Sequence, residues 1–162
     1  MTEASEILPI PAEKTPSKVV TPWLWFAVAV LLFVADRVLK YLALSHKIAS
    51  TTGPVTFTLF MNKGIAFSLP LSNTIFLPAA TVALLIIIVL FARALRHDSR
   101  TAVALFIVIC GAISNLIDRA HYHATVDYLI FFSRSAVNIA DAMIIGGLLV
   151  MLFRKRTVEG GQ

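Results

Sequence analysis

The chain has 162 residues, of which 58% are hydrophobic and only 14% charged, with a net charge of +5 and a mean hydropathy of +0.84. A soluble domain usually carries roughly 25% charged residues, so a water-facing globule is excluded and the composition describes an integral membrane protein. No basic stripe is interleaved with polar contact residues, which excludes a nucleic-acid partner; the positive balance is loop charge that sets orientation in a bilayer.

Residues 1–21 are polar and contain three prolines, and they read as a disordered cytoplasmic tail. They do not read as a cleavable signal peptide, because the apolar run that follows is too long and no small-residue cleavage site succeeds it. That run, Pro22 to about Leu44, is the first of four. The others cover about Ile75–Leu95, Thr101–Ile117 and Val137–Phe153. A helix needs ~20 apolar residues to cross the hydrocarbon core, and spans of this length without strict alternation are helices. The expected fold is therefore an all-α membrane protein with four transmembrane helices forming one domain over residues 22–153, followed by a cytoplasmic tail over 154–162.

Between the first two helices lies a long loop, Ser45–Thr74. Its Val55–Phe60 segment is β-prone and partly alternating, and predicts a small β-rich region there. Helices two and three are joined by a short basic turn with Arg93, Arg96 and Arg100. Helix three holds Cys110, the single cysteine, which rules out a disulfide framework and a multi-cysteine metal site. The second loop, Asp118–Ala136, contains Tyr128-Leu129-Ile130-Phe131-Phe132, an aromatic patch expected to lie in the membrane interface. Lys14 and Lys18, the Arg93–Arg100 turn and Arg154-Lys155-Arg156 fall on one side, predicted to be the cytoplasm, with both termini there.

Ionisable residues inside spans are costly, so each one raises a functional question. Asp36 lies ~21 Å beyond Pro22 along a helix rising about 1.5 Å per residue, in the outer third of the bilayer. Asn115 reaches the same depth on helix three, with Asp118 and Arg119 slightly further out. Helix four runs inward, so Asn138 and Asp141 occupy its outer turns, and Asp127 belongs to the outer loop. The polar residues thus converge on one layer near the periplasmic face.

Each also has a structural reading. Asp36 and Lys40, acid first and four apart, suit a helical ion pair. Asn115, Asp118 and Arg119 share one helix face and suit a polar knot that pins helix three to its neighbours. Asp127 alone would be a solvated loop carboxylate, and Asp141 alone a residue charging the start of helix four. His121 and His123 form an H-x-H pair, a weak metal signal without an H-E-x-x-H motif. Ser68 lacks the context of a nucleophile.

These residues fall in a series of words: Asp36-x-x-x-Lys40; Asn62-Lys63-Gly64-Ile65-Ala66-Phe67; Gly111-Ala112-Ile113-Ser114-Asn115-Leu116-Ile117-Asp118-Arg119; Val126-Asp127-Tyr128; and Asn138-Ile139-Ala140-Asp141. Five such words in this order on four helices resemble the lipoprotein signal peptidases, also called signal peptidase II. The resemblance covers everything but the two tails. It implies an aspartic endopeptidase of the bacterial inner membrane. Such an enzyme removes the signal peptide from diacylglyceryl-modified prolipoproteins, cutting before the lipidated cysteine. It implies Asp127 and Asp141 as the catalytic pair. Asp36, Lys40, Asn62, Gly64, Asn115, Asp118, Arg119 and Asn138 match positions that shape or support the site. Its expected partners are the prolipoprotein and membrane lipid, with the enzyme a monomer and no cofactor or metal. Val137 departs from the phenylalanine often found before the N-x-A-D word, and Cys110 and Ser114 stand where paired glycines are common. These are packing changes.

The chemistry is coherent. Two carboxylates close together cannot both ionise cheaply, which leaves one acid and one base near neutral pH. Asn115 and Asn138 could orient the pair or the substrate backbone, Arg119 could hold a carboxylate or carbonyl, and Gly64 could bring backbone close to substrate. Two other classes compete. A metal-dependent phosphotransferase would use Asp118, Asp127 and Asp141 as cation ligands, although such enzymes usually act on the cytoplasmic side. A proton or ion carrier built on Asp36 and Lys40 would need polar residues through the whole depth, and the cytoplasmic halves of the spans are almost wholly apolar.

Overall fold

The computed structural model describes residues 22–47, 53–64, 73–132 and 134–153. Both predicted tails, the basic residues 154–156, the outer-loop residues 65–67 and Ser68 lie outside the described residues. In chain order the elements are α1 (Pro22–Leu44), β1 (Val55–Asn62), α2 (Asn73–His97), α3 (Ser99–Tyr122), β2 (Thr125–Phe131), β3 (Ser135–Val137) and α4 (Ile139–Leu152).

Among the described residues, four helices are present where four apolar runs predicted them. α3 is the central one and packs against α4, α2 and α1. The helix contacts are made by small residues. Ala29, Ala94, Ala102, Ala104 and Ala140 are buried, while Trp23, Leu31, Leu85, Ile86, Val89 and Leu148 point outward. A soluble bundle would show the reverse. In lipid, an outward leucine costs nothing, so helices associate through close backbone approach and shape. Aromatic rings fill the remaining gaps on the side of α2: Phe26 meets Phe106 edge-on at 5.1 Å, and Phe91 meets Phe106 at 5.6 Å. By length and composition, α2 and α3 are long and apolar enough to cross a membrane. α1 has the length but carries Asp36, Arg37 and Lys40, and α4 has 14 residues.

α3 and α4 approach closely at glycines. A Cβ on Gly111 would lie 2.5 Å from the carbonyl oxygen of Ala140, a backbone atom that cannot swing aside. Gly111→Ala is therefore expected to push the start of α4 off α3 and to lower stability by ~1–3 kcal/mol, as overpacking does. Thermal unfolding in detergent checks this. An unchanged melting temperature would mean that the helices can part at no cost.

The helix ends differ from the sequence expectation in ways that matter. α3 continues past Ile117 to Tyr122 and closes on His123, whose backbone is left-handed (φ 56°) and whose N–H bonds Arg119 O at 3.1 Å. Asp118 and Arg119 therefore belong to the helix and not to the following loop, and both are buried. α4 is opened by Asn138. Its side chain accepts from Asp141 N while the Asp141 carboxylate accepts from Asn138 N, a reciprocal cap.

The β region is also larger than expected. β1 pairs antiparallel with β2, and β2 with β3, giving the order β1-β2-β3. The α1–α2 and α3–α4 connections thus build one sheet, with an irregularity between Phe57 and Phe60. This corrects the reading of Tyr128–Phe132 as an interfacial patch. Tyr128 is 0% exposed and stacks near Phe57, with ring centres 5.4 Å apart. Only Phe131 and Phe132 face outward. An alternating strand and an interfacial segment share the same aromatic composition, so the partner strand had to be known to tell them apart.

Candidate active site

Four side chains of alternating charge, three of them buried and Arg37 partly exposed, form a floor between α1 and α3. Lys40 Nζ lies 3.0 Å from Asp36 Oδ2 and 2.7 Å from Asp118 Oδ2, all three side chains fully buried. Arg37 Nη1 meets the other oxygen of Asp118 at 2.6 Å. Ser114 completes the knot. Its hydroxyl donates to Asp36 Oδ2 at 2.6 Å and accepts from Lys40 at 3.2 Å. Two cations and two anions balance, which is the condition for holding charge away from water.

The floor reaches upward through backbone. Asp118 Oδ2 accepts from Val126 N at 3.2 Å, the residue before Asp127. Asp36 Oδ1 accepts from Ala140 N at 3.2 Å, the residue before Asp141. Asp36 Oδ1 also accepts from the Tyr128 hydroxyl at 2.9 Å, which in turn accepts from Ile139 N at 3.0 Å. Burial beside Asp36 pushes the Tyr128 phenol up, so it remains a donor at any working pH. Each buried carboxylate of the floor therefore grips the backbone next to one of the two predicted catalytic aspartates.

Three asparagines make the next layer, and their amide orientations are forced. Asn115 Oδ1 accepts from Lys40 at 2.8 Å, Asn138 Oδ1 from Asp141 N at 2.8 Å, and Asn62 Oδ1 from Gly64 N at 3.0 Å. Ammonium and backbone N–H can only donate, so each amide must turn its NH2 the other way. Those NH2 groups meet carboxylates: Asn115 to Asp141 Oδ1 at 2.8 Å, Asn138 to Asp127 Oδ1 at 2.7 Å, and Asn62 to Asp127 Oδ2 at 2.9 Å. Asn138 thus touches both aspartates and sets them side by side. Burial drives Asp127 up to about 6, against the Asn62 hydrogen bond that lowers it, with the nearby Asp141 charge adding to the rise.

A cleft of about 850 Å³ opens beside this layer. Asp141, Asn115, Asn62, Gly64 and Arg119 lie in its wall with apolar Phe60 and Phe76. Arg119 is 4% exposed. It donates to Thr125 Oγ1 at 3.0 Å and to Gly64 O, and its guanidinium lies over the Phe76 ring. Its Nη1 has no partner among the described residues.

Every predicted site residue except Asp36, Lys40 and Asp118 contributes to this cleft or to the pair directly. Those three act one layer below. Both oxygens of Asp118 are already engaged by Arg37 and Lys40, so it is not free to join Asp127 and Asp141 as a cation ligand. Sequence reasoning missed Arg37, Ser114 and Tyr128. A second basic residue directly after Asp36 was the signal for Arg37. Ser114 offered none, since a small residue at a helix contact needs no polar reason. Asn73, at the start of α2, was missed too. It donates to Arg119 O at 3.2 Å and so ties α2 to the end of α3.

The family model for signal peptidase (SPase) II matches residues 28–155, which contain every site residue above. The chain belongs to the signal peptidase II family. Curated lipoprotein signal peptidases agree. One from Ectopseudomonas mendocina is 34% identical over 79% of this chain and 85% of its own length, and one from Coxiella burnetii is 33% identical over 84% and 90%. In fold, this signal peptidase II is similar to two solved bacterial membrane enzymes. The first has a TM-score of 0.65 at 23% identity, covering 83% of this chain and 87% of that one. The second has a TM-score of 0.62 at 21% identity, covering 83% and 92%.

Proposed function

We propose that this signal peptidase II is an aspartic endopeptidase that uses Asp127 and Asp141 to cut the signal peptide from diacylglyceryl-modified prolipoproteins, before the lipidated cysteine. The observation that carries this reading is Asn138, bonded at once to Asp127 and Asp141, which makes one unit of two carboxylates from different elements. In such a unit one carboxylate takes a proton from water while the other protonates the scissile carbonyl. Asn62, Asn115 and Asn138 hold the pair, and Arg119 and Gly64 line the path of the substrate backbone. Asp36, Lys40 and Asp118 support the arrangement from below.

The four helices would cross the bacterial inner membrane as a monomer, with both termini cytoplasmic and the cleft near the periplasmic face. The acyl chains and signal helix of the substrate then lie in lipid beside the cleft. A reporter fused after Phe153 is expected to read as cytoplasmic and one inserted at Gly53 as periplasmic, given the charges of Arg93, Arg96 and Arg100. Two reporters on the same side would refute the four-span arrangement.

The activity is tested with the purified full-length protein and a diacylglyceryl-modified prolipoprotein, alongside its unlipidated counterpart and with or without chelator. Cleavage of the lipidated substrate alone, insensitive to chelator, is expected. Cleavage lost on chelation would favour a metal enzyme instead.

A further inference from the structure

The two aspartates of the pair are chemically alike, but their surroundings are not. Asp141 stands in the wall of the cleft, whereas Asp127 is 1% exposed and does not. Asp141 lies in the first turn of α4 as the third residue of the capping box, where the positive end of the helix favours an anion. It also receives the amide of Asn115, whose far end is fixed by the Lys40 ammonium. Asp127 sits on a strand, where no helix end helps an anion.

We infer that Asp141 is the ionised base of the pair and that Asp127 holds its proton, with Lys40 as the residue that fixes this asymmetry through Asn115. This rests on the reading of Asp127 and Asp141 as the catalytic pair.

Two features oppose the assignment: the Asp36 charge faces Asp141, and Asp127 has donors of its own. Asn62 and Asn138 each give Asp127 an amide N–H, and such bonds favour a carboxylate. Burial outweighs them and keeps Asp127 near 6. The other charged or titratable groups facing the pair are Lys40 and Asp36 from α1, Arg119 from α3, and Tyr128 from β2. Lys40 acts on both aspartates, but only Asp141 is joined to it through a single intervening side chain.

The assignment fixes the course of the protons. A water in the cleft gives its proton to the Asp141 carboxylate as its oxygen bonds to the scissile carbonyl carbon. Asp127 gives its proton to the carbonyl oxygen, forming a gem-diol. The C–N bond then breaks. The leaving nitrogen takes the proton from Asp141, and one gem-diol hydroxyl returns a proton to Asp127. The products are a carboxylic acid and an amine, and the pair is restored with Asp127 protonated.

The test is the pH profile of kcat/KM for lipidated prolipoprotein, measured on the full-length enzyme and on Asn115→Ala and Asn62→Ala. The acid limb reports protonation of the base, and the alkaline limb reports loss of the proton from the acid. Asn115→Ala removes a donor from Asp141 and should move the acid limb up by about one pH unit. Asn62→Ala removes a donor from Asp127 and should move the alkaline limb up by a similar amount. The inverted pattern would place the proton on Asp141 and overturn the assignment, as would two profiles unmoved from wild type. If an alanine variant does not fold, the serine variant at that position replaces it, since its hydroxyl is too short to restore the bond. Cleavage by Asp127→Asn or Asp141→Asn would instead remove the pair itself, an outcome distinct from an inverted profile.

Discussion

Asp127→Asn and Asp141→Asn are each expected to lower cleavage of lipidated prolipoprotein by at least about 10³-fold, the scale of losing general acid–base catalysis. An amide has nearly the shape of a carboxylate, so both variants should remain folded in the membrane. Neither can take up or return the proton. At position 127 the incoming amide also faces NH2 groups from Asn62 and Asn138, so one of those bonds must be lost. At position 141 the capping box loses one of its two reciprocal bonds at most. The two carboxylates work as one unit, so the double variant should be little slower than either single one. The measurement is single-turnover cleavage by the three purified variants, with helicity checked by circular dichroism. Turnover within about tenfold of wild type in either single variant would remove that aspartate from the chemistry.

Lys40→Met should have the largest effect on stability. Lys40 is 0% exposed and stands between Asp36 and Asp118. Methionine fills similar space, so the loss is one of charge and not of volume. Asp118 keeps Arg37, but among the described residues Asp36 keeps only neutral donors. Leaving a buried charge without its partner costs about 3–5 kcal/mol. The effect also reaches the pair, because Asp36 grips Ala140 N and Lys40 orients Asn115. A double variant, Asp36→Asn with Lys40→Met, removes both charges and should recover part of the lost stability. Thermal unfolding of the wild type and the variants in the same detergent tests this. A double variant less stable than Lys40→Met would show that the charge pair is not the source of the loss.

Much of this protein was legible in the residues alone. Four apolar runs determined four helices, because a chain that must satisfy its own backbone in lipid has few alternatives. The polar residues Asp36, Lys40, Asn115, Asp127, Asn138 and Asp141 were visible because ionisable and amide groups are conspicuous in an apolar sequence. The ion pair of Asp36 and Lys40 was local, four residues apart, and is present at 3.0 Å. Asp118 and Arg119 fell on the right face of α3, although the helix end was placed too early, since the cap on His123 depends on a left-handed residue that is not a glycine.

What the sequence could not determine was every relation across long separation. That Tyr128 belongs to a buried strand follows from β1, 63–76 positions away in the register that pairs Asn62 with Thr125 and Val55 with Phe131. That Arg37 and Ser114 join the floor follows from α1 and α3 packing at that height. The Asn115 amide is turned by Lys40 from α1, 75 positions away, whereas Asn62 and Asn138 are turned by local donors, Gly64 N and Asp141 N; which carboxylate each NH2 then reaches is decided by packing between elements. Periodicity and hydropathy are properties of a segment and its solvent, so a segment reveals them. A hydrogen bond between two side chains on different helices is a property of their distance and angle, and only the packed tertiary structure sets those.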